Sequence, residues 1–368
     1  MNRICGALLG LCIAGSSLGT CAQIRIGQTT GVTGAIATAV KETSMGAQFY
    51  FDSVNAKGGV AGEKIELITL DDKFDPKLAF ANAQELIEKQ GVLALFMTRG
   101  TPHTEGIVPL IDKYGVSLVA PSTGAMVMHQ PVKKHVFNVR ATYQREAARA
   151  VFHLAAVGNT RIAVVHVDDS FGADGLEGVQ KGLAESKLSA LAVLKFDRAK
   201  PDFSQIAPAI VKLAPQAVMI IGSGTAVVDA IKSFKGAGSA AQFVTLSNNA
   251  SDGFIKLLGD SARGVIVSQV LPRSQNYALV QEANALARAH DVQDVSPAML
   301  EGFVAAKVMV EALRRASPKP TREKIHAALE SLHKFDLGGL SLSFSPNDHT
   351  GLDFADLAII SETGKFRR

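Results

Sequence analysis

The chain has 368 residues, 47% of them apolar and 20% charged, which is material for more than one core and gives no sign of disorder. Its 38 basic and 34 acidic residues leave a formal charge of +4 and are interleaved rather than blocked. With 6% aromatics and no Trp there is neither the electrostatic footprint nor the stacking platform of a nucleic-acid binder.

Arg3 precedes an apolar run over 4–15 and then the small residues Ser16, Ser17, Gly19 and Thr20, the pattern of a secretory signal. The run is shorter than the ~20 residues a spanning helix needs. Thr20-Cys21-Ala22 offers small side chains for cleavage after Ala22, so residues 1–22 read as a signal peptide and the product as periplasmic. A lipid anchor at Cys21 is the weaker alternative, because Thr20 stands where Gly or Ala normally precedes the modified cysteine. Cys5, Cys12 and Cys21 all precede the cut, so the exported chain is expected to hold no disulfide and no thiolate site.

From there, short β-branched runs alternate with stretches whose apolar residues lie three and four apart. Strands are expected over 24–30, 64–70, 92–97 and 116–120, with helices over 40–57, 76–90 and 102–114 between them. After 136–139 the pattern restarts: helix 143–157, strand 161–167, helix 171–187, then strands 191–196, 217–221, 243–246 and 264–270 around helices 203–213 and 225–235. Helices over 275–290, 297–315 and 321–332 follow, then short strands over 340–344 and 354–360. Repeated β-α units imply parallel sheets covered by helices, in two similar halves, with a ligand cleft where the strands' carboxyl ends face one another.

Catalytic signatures are missing: there is no G-x-S-x-G elbow, no H-E-x-x-H, and no His pair four apart on a helix. His129 and His135, beside Lys133 and Lys134, read as a solvated turn rather than a metal site. Gly222-Ser223-Gly224 begins like a dinucleotide fingerprint, but Val227 replaces the third glycine and no acid follows at ribose distance. Asp71-Asp72 and Asp168-Asp169 read as turn caps. No cofactor is expected. Arg99-Gly100-Thr101-Pro102 is more promising, since Gly allows close backbone approach, Thr can cap, and free N–H groups at a helix start favour a carboxylate. Pro121-Ser122-Thr123-Gly124 at the next strand end repeats that chemistry.

A family resemblance is carried by Asn55-Ala56-Lys57-Gly58-Gly59-Val60-Ala61-Gly62, Asp71-Asp72-Lys73-Phe74-Asp75-Pro76, Gly100-Thr101-Pro102 and Ala120-Pro121-Ser122-Thr123. It continues through Arg140-Ala141-Thr142-Tyr143, Asp168-Asp169-Ser170-Phe171-Gly172 and Lys200-Pro201-Asp202-Phe203-Ser204. In order and spacing the chain resembles the type I periplasmic binding proteins of ABC transporters, in the branch named for leucine, isoleucine and valine. That implies an α/β fold of two Rossmann-like lobes joined by three crossovers, placed near Ala141, Leu271 and Gly339. Lobe one would then be 23–141 plus 272–338, and lobe two 142–271 plus 339–368.

The resemblance also implies a monomeric receptor, not an enzyme, that captures a small molecule and passes it to membrane permease subunits, with no nucleic-acid partner. A ligand carboxylate would be held by Thr101, Ser122, Thr123 and Gly124. The covering aromatic falls on Phe171, a second tyrosine position on Ser223, and Tyr143 at the first crossover is a further candidate. The lobe-two acid that amino-acid binders set against the ammonium falls near Ser247, in a stretch with no acid, and a second falls near Arg145. The ligand is therefore expected to be a carboxylate without an ammonium, or an amide. Arg99 and Arg145 are weighed as aids to an anion against surface or lobe-contact charges, with the latter favoured. A sensor of the same fold and a true branched-chain amino acid binder stay open as alternatives. The two positions of a lobe-one disulfide read Phe74 and Gly100.

Overall fold

The computed structural model describes residues 23–367. The signal-peptide reading and all three cysteines lie outside them. Lobe one begins β1 (Gln23–Thr30), α1 (Ala37–Ala56), β2 (Lys64–Asp71), α2 (Pro76–Glu88), β3 (Ala94–Phe96), α3 (Thr101–Tyr114), β4 (Ser117–Val119), α4 (Met126–His129) and β5 (Val136–Phe137). These strands form one parallel sheet in the order β2-β1-β3-β4-β5.

Lobe two runs α5 (Tyr143–Ala156), β6 (Ile162–Val167), α6 (Ser170–Glu185), β7 (Ala192–Phe196), α7 (Ile206–Leu213), β8 (Ala217–Ile221), α8 (Thr225–Gly236), β9 (Gln242–Thr245), α9 (Asp252–Leu258) and β10 (Ile266–Gln269). Helices α10 (Ala278–Arg288), α11 (Pro297–Arg315) and α12 (Arg322–Glu330) return to lobe one, followed by the hairpin β11 (Phe335–Asp336) and β12 (Ser341–Leu342). Strands β13 (Asp356–Ile360) and β14 (Phe366–Arg367) complete a seven-stranded sheet in the order β14-β13-β10-β9-β8-β6-β7.

Strands β6 and β8 are buried at every position, as central strands of a parallel sheet covered on both faces must be. The edge strand β2 is only partly covered and carries charge accordingly. β13 runs antiparallel to β10, and β14 antiparallel to β13, so the chain closes the second sheet from its edge.

The last return lies further along than Gly339. Leu342, Phe344 and Leu352 pack in the lobe-one core, and Gly351 N–H donates to the Asn138 carbonyl (2.7 Å), so the chain enters the second sheet only at Asp356. The apolar spacing of 340–344 signalled a buried strand but not which lobe buries it.

Helices α1 and α11 pack at backbone contact. A Cβ on Gly302 would stand 1.8 Å from the Thr43 carbonyl oxygen, and one on Gly46 1.8 Å from that of Met299. Gly302→Ala is expected to destabilise the protein by about 1–3 kcal/mol through forced separation of the helices. Gly106→Ala, at an exposed position of α3 with open space around it, is expected to stabilise by about 0.5–1 kcal/mol. Urea denaturation midpoints moving in opposite directions check both.

Candidate functional site

The site is built at the carboxyl ends of β3 and β4. Gly100 precedes α3 with φ of 97°, a backbone that favours glycine, and a Cβ there would lie 2.5 Å from His103 Nδ1. That turn makes Thr101 the first helical residue rather than the cap expected from sequence, and leaves its side chain unused by the helix end. Its Oγ1 lies 2.8 Å from Thr123 Oγ1, both hydroxyls buried. Ser122 Oγ accepts from Arg99 Nη1 (3.2 Å). Gly124 seats the first crossover, since its carbonyl accepts from Tyr143 N–H (2.7 Å) and a Cβ would meet the Ala141 carbonyl at 2.7 Å.

Lobe two presents two capped helix starts. Thr142 caps α5 through Arg145 N–H, and Asp169 caps α6 through Phe171 and Gly172 N–H. This sets Tyr143 and Phe171 in the first turns of neighbouring helices, buried, with ring centroids 4.8 Å apart. After β9, Ser247-Asn248-Asn249 forms a 3-10 turn. Asn248 Nδ2 donates to Ser223 Oγ and the Gly222 carbonyl (both 3.0 Å), and Asn249 Oδ1 accepts from Gly224 N–H (2.9 Å). The Gly-Ser-Gly turn is thus held by two asparagines, and its glycines answer to close packing rather than to a dinucleotide: a Cβ on Gly224, whose φ is 57°, would stand 1.9 Å from the Ala35 carbonyl oxygen, and one on Gly222 2.8 Å from the Phe196 ring.

The lobes touch. Arg99 Nη2 donates to the Asn248 carbonyl (2.5 Å), Thr225 N–H to that of Ala35 (3.0 Å), and Ser170 Oγ to Glu105 (2.5 Å). Glu42 on α1 accepts from Gly253 and Asp252 N–H at the start of α9 (2.6 and 3.0 Å), and Arg198 lies 4.9 Å over the Phe74 ring.

The two weighed arginines divide. Arg99 is 5% exposed, a lobe-contact charge, and its two hydrogen bonds go to neutral oxygens. Among the described residues no carboxylate lies within ion-pair distance of it, and burial pulls its pKa down against the opposing field of Glu301. Arg145 is the surface charge: 53% exposed and paired with Asp353 at 2.8 Å.

The acids expected to be missing are present, from other positions. Glu146, fully buried, pairs with Arg140 through Oε1, while its Oε2 accepts from Ser247 N–H (3.0 Å) and Ser268 Oγ. Arg140 also meets Ser247 Oγ and, at 3.4 Å, Glu301, whose Oε1 lies 3.4 Å from Ser122 Oγ. Burial alone would lower the Arg140 pKa, but Glu146 and Glu301 together hold it above the ordinary arginine value. Sequence signals for these residues existed. Tyr143 and Glu146 are three apart on a capped helix and so share a face, and Glu301 is a lone charge in the apolar run 295–306.

The eight candidates sit at the strand ends and helix starts around this junction, and the polar ones are bonded within the protein: Thr101 with Thr123, Ser122 with Arg99, Ser223 with Asn248, Ser247 with Arg140 and Gly124 with Tyr143 N–H. His129 and His135 are buried rather than solvated, bonded to Thr350 (2.9 Å) and Asp112 (2.8 Å). Asp71, Asp72, Asp168 and Asp169 accept turn N–H groups or pair with Lys195 and Arg198. Among the described residues no group of three His, Cys, Asp or Glu is placed to hold a metal, and no helix is long and apolar enough to cross a membrane. Phe74 Cε2 lies 3.0 Å from where a Gly100 Cβ would stand, so these two positions do adjoin, with glycine making room for the ring.

Two lobes with a polar junction between their strand ends define a cleft-type solute receptor. The family model for periplasmic binding proteins matches residues 23–364, and the chain belongs to that family, in its leucine/isoleucine/valine-binding branch. It is 24% identical to the Leu/Ile/Val-binding protein of Escherichia coli K12 over 73% of this chain and 74% of that one. A solved substrate-binding periplasmic protein from Ralstonia solanacearum superposes with a TM-score of 0.85 at 30% identity, covering 94% of this chain and 99% of the other. An extracellular ligand-binding receptor from Verminephrobacter eiseniae gives 0.84 at 25% identity, covering 94% and 100%. These relatives are solute-binding proteins, not enzymes, and the family is periplasmic.

Asp174 on α6 accepts from Met126 N–H of lobe one and from Gln144 Nε2 (both 2.9 Å), and burial pushes its pKa up to about 6, against those two bonds, from the ordinary 3.8. The native state therefore holds this proton more tightly than the unfolded chain, and the group's contribution is full below pH 4 and lost as pH rises through 6. Asp174→Asn keeps the Oδ1 acceptor without the charge. Thermal midpoints of variant and wild type are expected to converge near pH 4, with the variant melting higher above pH 6.

Proposed function

We propose that this protein is an exported solute receptor that closes its two lobes on a small carboxylate or amide lacking an ammonium group and presents it to the permease of an ABC transporter. The observation that carries the ligand class is the charge balance of the junction. Glu146 is fully committed to Arg140, Ser247 and Ser268, while Arg99 bridges the lobes with only neutral partners. A buried guanidinium without a carboxylate is incompletely compensated, and an anion beside it offsets that cost. Ser122 supplies a hydroxyl beside it and the paired hydroxyls of Thr101 and Thr123 lie in the adjoining turns, while Tyr143 and Phe171 supply an apolar wall for a branched or aromatic body. The N-terminal pattern of Arg3 and the run over 4–15 supports export, and the family supports delivery to a permease.

A second reading has one observation behind it. Glu301 makes only long contacts, 3.4 Å to Arg140 and to Ser122, so an α-amino acid of the kind named for the Escherichia coli relative would find one loosely held carboxylate.

Protein unfolded and refolded to strip carried-over ligand distinguishes these readings. A thermal-shift series with leucine and valine against 4-methylpentanoate, 3-methylbutanoate, phenylacetate and their amides is expected to raise the midpoint only with the ammonium-free compounds. Stabilisation by leucine or valine sinks the reading. Arg99→Met is expected to weaken binding of the stabilising carboxylate at least about 30-fold by calorimetry, the loss for truncating a buried, hydrogen-bonded charge.

A further inference from the structure

The turn after β9 carries two adjacent asparagines that the fold uses differently. Asn249 is satisfied at both ends of its amide: Nδ2 donates to the Gly222 carbonyl and to Thr245 Oγ1 (3.0 and 2.9 Å), and Oδ1 accepts from Gly224 N–H. Asn248 is satisfied at one end only. Its Nδ2 donates to the Gly222 carbonyl and to Ser223 Oγ, while its Oδ1 is buried and has no partner among the described residues. Exchanging the oxygen and nitrogen does not repair this, because it would set Oδ1 against the Gly222 carbonyl, acceptor against acceptor. At 6% exposure, an unmade bond here is a real cost.

That orphan acceptor stands on the lobe-two residue that lobe one grips. Arg99 Nη2 donates to the main-chain carbonyl of Asn248 and Nη1 to Ser122, which leaves the guanidinium with N–H donors to spare. A donor-rich cation and an unanswered acceptor are therefore no further apart than one asparagine side chain spans. Water fills such a position in an empty cleft, and a ligand that displaces it without a donor of its own loses that bond. We infer that the ligand carries a hydroxyl on the carbon next to its carboxylate, and that Asn248 is the specificity-determining residue that accepts from it. The inference rests on the ammonium-free anion proposed above and names its class, a 2-hydroxy acid. The carboxylate offsets the Arg99 charge while the hydroxyl donates to Oδ1, and the two groups sit close together because both of their partners meet at one residue. A primary amide brings a donor too, but it is neutral and leaves Arg99 uncompensated. An acid without the hydroxyl satisfies Arg99 and leaves Asn248 unpaired, the kind of deficit by which a hydrogen-bonding site rejects an analogue.

The test uses matched pairs. Calorimetry with refolded, ligand-stripped protein compares each enantiomer of 2-hydroxy-4-methylpentanoate with 4-methylpentanoate, and each enantiomer of mandelate with phenylacetate. One hydroxy acid is expected to bind wild type at least about 10-fold more tightly than its parent acid. In Asn248→Ala that ratio is expected to fall to about one. A merely structural role for Asn248 would weaken both members of a pair alike and leave the ratio standing. Hydroxy and parent acids that bind wild type equally show that water answers Oδ1, and overturn the inference while the ammonium-free anion stands. A ratio that survives Asn248→Ala overturns the role of Asn248. Tighter binding of 4-methylpentanamide than of either hydroxy acid assigns the donor to an amide and overturns the hydroxy acid. Wild type that binds leucine, or none of the acids, overturns the ammonium-free anion and with it this inference.

Should Asn248→Ala not fold, wild type decides through the 2-fluoro analogue of the tighter-binding hydroxy acid. Fluorine stands in for the hydroxyl at similar size and carries no proton, so the fluoro acid is expected to bind no more tightly than the parent acid. A fluoro acid that matches the hydroxy acid shows that size or polarity at that carbon is selected rather than a donor to Oδ1, and overturns the inference.

Discussion

The junction between the lobes depends on one buried ion pair. Arg140 and Glu146 are both removed from water, 3% and 0% exposed at the side chain, and each is tolerable there only because the other is present. Removing one partner of such a pair leaves an uncompensated charge worth about 3–5 kcal/mol, a large part of a domain's total stability. The pair also links pieces that are far apart in sequence: the first crossover, the start of α5, the turn after β9, strand β10 and helix α11.

Around it, the sheets supply position and the helix starts supply chemistry. Parallel strands end on one side of each sheet, and the turns leaving them carry Thr101, Ser122, Ser223 and Ser247, whose hydroxyls point into the junction because no helix end consumes them. Where a helix end does consume a side chain, as with Thr142, Asp169 and Ser251, that residue is lost to the cleft but its neighbour is fixed. Tyr143 and Phe171 owe their packing to this: caps just upstream hold the two rings together.

The alternation of periods made most of this fold legible, because each β-α unit carries its own local signature. Helix α11 could be read to its ends from Pro297 and the basic pair Arg314-Arg315. The last return could not, since Leu342, Phe344 and Leu352 would look equally apolar packed in either lobe. Strand-end residues were legible for the same reason as the strands. Long-range charge pairing was not: the stretch 245–250 holds no acid of its own, while Glu146 reaches Ser247 from about a hundred positions earlier. Arg145 and Glu146 are adjacent, yet one faces water and the other is fully buried. A helix turns about 100° per residue, so an assignment that slips by one inverts the conclusion.

The interlobe contacts are of the kind that the proposed reversible closure needs. A receptor that must reopen cannot join its lobes through a large apolar core, and these lobes meet largely through hydrogen bonds to main-chain groups: Arg99 on the Asn248 carbonyl, Glu42 on Asp252 and Gly253 N–H, Asp174 on Met126 N–H, Thr225 on Ala35. Each exchanges a protein partner for water on opening, so its net worth is about 0.5–1.5 kcal/mol, somewhat more where a charge takes part. Such contacts define the closed geometry without locking it. Two of the acceptors are carboxylates whose pKa is raised by burial, Glu42 and Asp174, so part of what closure gains in hydrogen bonds it loses in desolvation. The surplus that tips the balance must then come from a group that touches both lobes at once. On the proposed ligand class that group is an anion at Arg99, bonded to Ser122 on one side and Asn248 on the other.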